Sequence, residues 1–98
     1  MIYALCPRYS SRKSFYGKAM IEETENENVK DEKLYSYGTL VARYTIIGGI
    51  KNYFYFGHYS STTTSHQKEF FKQCGLSDKE IKKIFKEGIL KYETINNK

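Results

Sequence analysis

Tyr59-Ser60-Ser61-Thr62-Thr63-Thr64-Ser65-His66-Gln67-Lys68-Glu69-Phe70-Phe71 joins two kinds of chain. Before it stands the aromatic run Tyr53-Phe54-Tyr55-Phe56, and its own second half is a charged segment ending in paired phenylalanines. Aromatic residues favour strands, whereas apolar residues three and four apart mark a helix packed on one side. The hydroxyls Ser60 to Ser65 are candidate caps, because a serine or threonine oxygen accepts from the first free N–H groups of a helix. The spacing predicts a helix from about Thr63 to Cys74. Thr62 or Thr63 starts it, and Thr64 with Gln67 fits a reciprocal capping box. His66 lies one turn on, within reach of the hydroxyls, and Phe70 and Phe71 fasten the helix to a sheet.

Upstream, Gly48-Gly49 supplies the positive φ angles of a tight hairpin, with Ile50 to Phe56 as its return strand. Leu34 to Ile47 alternates as one long strand in which Gly38 marks a bulge or a close backbone approach. Phe15, Gly17, Ala19 and Ile21 share one face of an earlier strand, and Met1 to Cys6 forms a brief first one stopped by Pro7. Between them, Glu22 to Lys33 holds six acids against Lys30 and Lys33, with Val29 its lone aliphatic residue. That composition predicts a mobile connection.

Downstream, Gly75 ends the first helix. Leu76-Ser77-Asp78-Lys79-Glu80-Ile81 then opens a second, with Ser77 as cap, Glu80 closing the box, and Leu76 and Ile81 placed as a staple. Ile81, Ile84, Phe85 and Gly88 share its inner face. Residues 89–98 form a short strand or extended tail, with Leu90 and Tyr92 packed. The expected fold class is α+β in a single domain, 1–98: an antiparallel sheet of three to five strands, one helix packed on one face, and a second, C-terminal helix from Ser77 to Glu87.

The chain has 98 residues and a net charge of +5, enough for one small core and no second domain. The charge is uneven: residues 1–20 carry Arg8, Arg12, Lys13 and Lys18 without an acid, and eight lysines face five acids from Lys68 onward. The candidate contact residues are therefore Arg8, Arg12, Lys13 and Lys18 at one end and Lys79, Lys82, Lys83 and Lys86 on the second helix, fitting nucleic acid or an acidic protein surface. The competing expectation is a solvated lysine face with no partner.

No chemistry-bearing pattern stands out. The two histidines and two cysteines match no zinc spacing, no glycine loop cradles phosphate, and the acids cluster away from His58 and His66. The expectation is a non-enzymatic protein without metal or cofactor. Cys6 and Cys74 have no disulfide framework spacing, the N-terminus is too short for a signal peptide, and no run approaches the roughly 18 apolar residues of a membrane span. These features lead to a cytoplasmic protein with no membrane partner. Two nucleic-acid devices compete with a purely structural reading. Gly75 and the residues after it imitate a helix-turn-helix, though Phe71 stands where a small residue normally lets the helices touch. Tyr35, Tyr37, Tyr53 and Tyr55 are spaced to form a base-stacking platform on one sheet face.

Ser14-Phe15-Tyr16-Gly17-Lys18-Ala19, Leu34-Tyr35-Ser36-Tyr37-Gly38-Thr39-Leu40-Val41-Ala42 and Tyr59-Ser60-Ser61-Thr62-Thr63, followed by His66, Glu69, Phe70 and Gly75, resemble a family of small uncharacterised proteins from phages and Gram-positive bacteria. Relative to that family the connection at Ile46 to Asn52 is long, and the helix from Ser77 stands as an addition. The resemblance implies a phage or mobile-element protein acting inside a bacterial host, and it transfers no catalytic residue. It implies a binder: either an inhibitor of a host defence or nucleic-acid-handling complex, in the anti-CRISPR manner, with a host protein or ribonucleoprotein as partner, or a direct DNA- or RNA-binding accessory protein. The positive charge excludes inhibition by DNA mimicry, which needs an acidic surface.

Overall fold

The computed structural model describes residues 1–9 and 18–93. Their elements are β1 (Ile2–Ala4), β2 (Ala19–Glu25), β3 (Val29–Ser36), β4 (Thr39–Ile47), β5 (Ile50–Tyr55), α1 (Ser61–Gln73), α2 (Asp78–Glu87) and β6 (Ile89–Glu93). The strands form one antiparallel meander in the order β1-β2-β3-β4-β5-β6. The class is α+β as expected, but the described residues contain six strands, not three to five.

The extra strand comes from Tyr37-Gly38. These two residues, with φ of 52° and 83°, close a two-residue turn between Ser36 and Thr39 and split the expected single strand into β3 and β4. Two successive positive φ values are those of the tight hairpin turn whose twist matches the flanking strands. Gly38 is thus a turn residue, and the irregularity lies beyond it. Leu34 faces Ala42 while Tyr35 faces Leu40, so Val41 is the extra residue of a bulge.

The acidic segment is not a mobile connection either. Glu22 to Glu25 completes β2, Val29 to Lys33 opens β3, and only the tip between them is a turn. Its composition lacks apolar surface, but β2 and β3 pair with each other along its length, and part of its negative charge is paired by Lys30 and by Arg43 of β4. Lys30 Nζ lies 3.2 Å from Glu32 and 3.6 Å from Glu23, and Arg43 meets Asp31 through two bonds of 3.0 and 2.7 Å.

Both helices cover the same face, α1 across β3 and β4 and α2 across β5 and β6. The core between the layers is Leu5, Ala19, Ile21, Leu34, Ala42, Tyr44, Tyr53 and Leu90 below, with Phe70, Phe71, Leu76, Ile81 and Ile84 above. Burial of each large apolar side chain contributes about 1.5–3 kcal/mol, so Phe70 and Phe71 anchor α1 as expected.

The helix starts shift slightly from the expectation. Ser60 is the N-cap of α1, accepting from the Thr63 N–H at 3.1 Å, so neither Thr62 nor Thr63 begins the helix and no Thr64–Gln67 box forms. Thr64 instead donates its hydroxyl to the Ser60 carbonyl at 2.9 Å. Gly75 closes the helix as predicted: the Leu76 N–H bonds the Phe71 carbonyl and the Gly75 N–H bonds that of Lys72. The α2 start is as predicted, with Ser77 and Glu80 bonding reciprocally at 3.2 and 2.8 Å. The expected strand at Phe15 to Gly17 lies outside the described residues, and its continuation, Ala19 and Ile21, is buried in β2.

Candidate binding surfaces

The hydroxyl cluster and His66 come together, but inward. Ser36 Oγ lies 2.9 Å from Thr63 Oγ1 and 2.8 Å from His66 Nδ1, and all three residues are buried. A serine beside a histidine is the beginning of a nucleophilic site. Here it is sealed from solvent and acts as a polar lock between α1 and the end of β3. His58, on the surface, meets Thr64 Oγ1 at 3.1 Å.

Glu69, which the sequence marks only as part of the family-resemblance block and without a role, positions the N-terminal basic segment. It is 2% exposed, and its carboxylate accepts from the backbone N–H groups of Arg8 at 2.7 Å and Tyr9 at 3.0 Å, and from the Gln73 amide at 2.6 Å. Gln73 also donates to the Cys6 carbonyl at 2.7 Å. The segment after β1 is therefore strapped to the outside of α1 by its backbone, leaving Arg8 and Tyr9 exposed. Charge-assisted bonds to backbone N–H are about twice as strong as neutral ones. Arg12 and Lys13 lie outside the described residues. Lys18 is exposed, its ammonium 5.8 Å from the Tyr37 ring centre.

A cleft of about 270 Å³ opens below this strap, lined by Tyr3, Lys30, Glu32, Tyr44, Gln73 and Cys74 among others. Its polar groups already pair with each other: Lys30 with Glu32, and Glu32 with the Cys74 thiol at 3.9 Å. Burial first, and then Glu32, push the Cys74 thiol far above its ordinary range. A thiol so held stays protonated and is a poor nucleophile. Among the described residues no group of three or more His, Cys, Asp or Glu side chains could hold a metal ion, and no helix is long and apolar enough to cross a membrane.

The α2 lysines form one surface. Lys79, Lys82, Lys83 and Lys86 stand at helical positions i, i+3, i+4 and i+7, opposite the buried Ile81 and Ile84. All four are exposed, and none forms an ion pair among the described residues. Two of the three acids of α2 are engaged elsewhere, and the third, Glu87, is exposed four residues after Lys83. Asp78 meets Lys72 at 3.0 Å, and Glu80 is held by Ser77 and by the Tyr92 hydroxyl at 2.6 Å. Lys68 and Lys72, four apart on α1, extend the basic side of the helical layer, with Lys72 also 5.7 Å from the Tyr9 ring centre. That spacing was the available signal for them.

The tyrosine platform does not form. Tyr44 faces Tyr53 across the Gly48-Gly49 hairpin, and Tyr35 faces Leu40, which puts Tyr53 and Tyr55 on the covered face and Tyr35 on the other. Tyr53 is buried, stacked on Tyr44 at 4.8 Å with its hydroxyl on the Cys74 carbonyl at 3.2 Å. Tyr55 stacks on Phe85 of α2 at 4.5 Å, and Tyr37 occupies the β3–β4 turn. The helix-turn-helix is likewise overridden: Phe71 is fully buried, and both helices lie flat on the sheet.

No curated protein and no solved structure matches the chain. One family does, described as a family of unknown function (DUF8033), over residues 3–87. The matched span includes α2, so the second helix is part of the family's domain and not an addition to it. The chain belongs to this family of unknown function.

Proposed function

We propose that the protein is a non-catalytic binder from a phage or mobile element that inhibits a host defence or nucleic-acid-handling complex, docking on an anionic surface through the helical layer. The observation that carries this reading is the α2 stripe of Lys79, Lys82, Lys83 and Lys86, exposed and without acidic partners among the described residues. Four unpaired like charges on one helix face repel one another mildly, and a negatively charged partner relieves that repulsion. The strapped Arg8 and the α1 lysines widen the same positive field, which speeds encounter with an acidic surface.

The same stripe supports a second reading, direct binding of DNA or RNA through phosphates. Capture from a Gram-positive bacterial lysate, with and without nuclease treatment, separates the two. The expected result is a host protein retained after nuclease treatment and lost when Lys79, Lys82, Lys83 and Lys86 are all changed to Gln. Retention of nucleic acid alone, with affinity falling steeply as salt rises, replaces the inhibitor by the direct binder. Substrate turnover that disappears in His66→Ala overturns both.

A further inference from the structure

The sheet has a second face, which neither helix covers. Its central row crosses all six described strands through register partners: Ile2, Glu22, Lys33, Arg43, Phe54 and Ile89. On one side of that row stand Asp31, Thr45 and Asn52, and beyond them the apolar Val29, Ile47 and Ile50. On the other side stand Tyr35 and Leu40, and Phe56, whose ring lies parallel to that of Phe54 within 4° and 6.4 Å away. Ile2, Ile47, Phe56 and Ile89 are 42–67% exposed. Apart from Met1 and tyrosines, no other large apolar side chain among the described residues is so exposed, and all four stand on this face.

The charges of this face are balanced. By register Glu22, Asp31 and Glu93 stand against Lys33, Arg43 and Lys91. Within the sheet the Arg43 guanidinium is gripped by both Asp31 oxygens, Lys33 lies 3.9 Å from Asp31, and Glu22 accepts from the Tyr35 hydroxyl at 3.1 Å. Ions already paired and hydrogen-bonded cost less to cover than lone ones. The positive excess of the +5 chain lies elsewhere, with the α2 stripe, Lys68 and Lys72 on the helical side. A second copy can approach sheet to sheet without net repulsion. The two stripes then point away from each other, with both sheets between them and a separation well beyond the Debye length of about 8 Å.

The face is also complementary to itself. A two-fold axis crossing the strands between the Lys33–Arg43 row and the Asp31–Thr45 row lays Lys33 over Asp31 of the second copy. The same axis lays Tyr35, Leu40 and Phe56 over Val29, Ile47 and Ile50 of that copy. Strands of three to nine residues, six abreast at about 4.8 Å, outline about 600 Å². Counted on both copies, this reaches the roughly 1,200 Å² at which stable specific interfaces begin.

We infer that the uncovered sheet face is an isologous interface with a second copy of this chain, closing two meanders into a sandwich in which Lys33 of each copy meets Asp31 of the other. Aligned sheets packed about 10 Å apart are a stable arrangement of two such layers. The pair presents two lysine stripes on opposite outer faces. This goes beyond the lysine-stripe reading and uses the other side of the molecule.

Sedimentation of the full chain up to about 0.5 mM is expected to show a species of twice 11.5 kDa. Phe56→Lys should raise its dissociation constant about tenfold or more, because one substitution enters an isologous interface twice. The chain has no tryptophan, so Phe56→Trp places a unique fluorophore on the face, and its emission should shift to shorter wavelength as concentration rises. Changing the four α2 lysines to Gln should leave the association in place. A chain that stays monomeric throughout, F56W emission independent of concentration, association unchanged in Phe56→Lys, or association lost in the lysine variant each overturns the inference. The two readings fail separately: capture of a host protein tests the stripe, and sedimentation tests the sheet.

Discussion

The side-chain nitrogen of Gln67 lies 3.0 Å from the carbonyl oxygen of Val41, the bulge residue of β4. The same nitrogen also donates to the Gly57 carbonyl at 3.1 Å, so one buried amide ties α1 to the bulge and to the chain leaving β5. A bulge frees a carbonyl from the ladder, and this one is answered by Gln67 together with the Phe56 N–H at 3.2 Å.

Substitutions at Gln67 should therefore separate by polarity, not size. Gln67→Met deprives two carbonyls of a donor but also removes Gln67 Oε1, which is buried without a partner among the described residues. The expected cost is about 1–2 kcal/mol, since the two changes partly offset. Gln67→Glu points oxygen at both carbonyls and should cost about 3–5 kcal/mol. Urea denaturation checks both, and equal destabilisation by the two variants would remove the amide from this role.

Tyr37 holds a φ of 52° in the β3–β4 turn, a conformation that disfavours a residue with a bulky side chain. Asn before Gly is the preferred pair there. Tyr37→Asn is expected to raise stability by about 0.5–1 kcal/mol, even though it gives up the ring's contacts with His66 and Lys18. Thermal unfolding measures this, and a lower midpoint would mean that the ring contacts outweigh the strain.

The same turn explains why the sequence misled on strand number. A two-residue turn sets Ser36 opposite Thr39 and would by itself exchange the faces of odd and even residues, but the bulge exchanges them back, so Leu34 faces Ala42. Even-numbered residues thus point to the core both before the turn, at Leu34 and Ser36, and beyond the bulge, at Ala42, Tyr44 and Ile46, so the alternation resumes in phase and conceals the turn. The acidic hairpin was hidden for a different reason. Its strands gain their stability from ladders to neighbours and from the Lys30 and Arg43 pairs, neither of which composition records. What was legible was local: the Gly48-Gly49 turn, the Ser77–Glu80 box and the Gly75 stop each depend on a few adjacent residues. The lysine stripe followed from helical periodicity alone. The strap by Glu69 and the Phe54–Phe56 face required register and long-range contact.

Alkaline titration tests the buried side of the sheet. The hydrogen bond to Glu80 raises Tyr92 to about 12, while burial and then the charge of Glu32 raise Tyr3 to about 12. Burial pushes Tyr53 still higher. A phenol whose folded pKa is raised contributes stability that is whole below the ordinary value of about 10 and is lost as pH climbs through the folded value. The unfolding midpoint should hold up to about pH 10 and fall between about pH 10 and 12, with a late phase in the 295 nm absorbance as these tyrosines ionise. Tyr92→Phe should shrink that late phase. A single ionisation step near pH 10 with the fold intact would contradict this arrangement.

Replacing Lys79, Lys82, Lys83 and Lys86 together by Gln should leave the fold unharmed, which makes the variant a fair test of the stripe. The effects on α2 oppose each other. Lys79 lies near the positive end of the helix dipole and is better gone, while Lys86 lies in the last turn, where a cation is worth about 0.3–1 kcal/mol. Removing the i,i+4 repulsions of Lys79 with Lys83 and of Lys82 with Lys86 returns about 0.2–0.5 kcal/mol each, and losing the i,i+4 attraction of Lys83 for Glu87 takes back a similar amount. The net change in urea unfolding should stay within about 0.5 kcal/mol, as for surface substitutions away from a cap or core. The same variant should leave a heparin column at lower salt than the wild type, because up to four phosphate or sulfate contacts are lost. A drop in stability above about 1 kcal/mol would place the lysines in the fold's own electrostatics. Unchanged elution would mean that Arg8, Lys68 and Lys91, and not this helix face, present the positive surface to a partner.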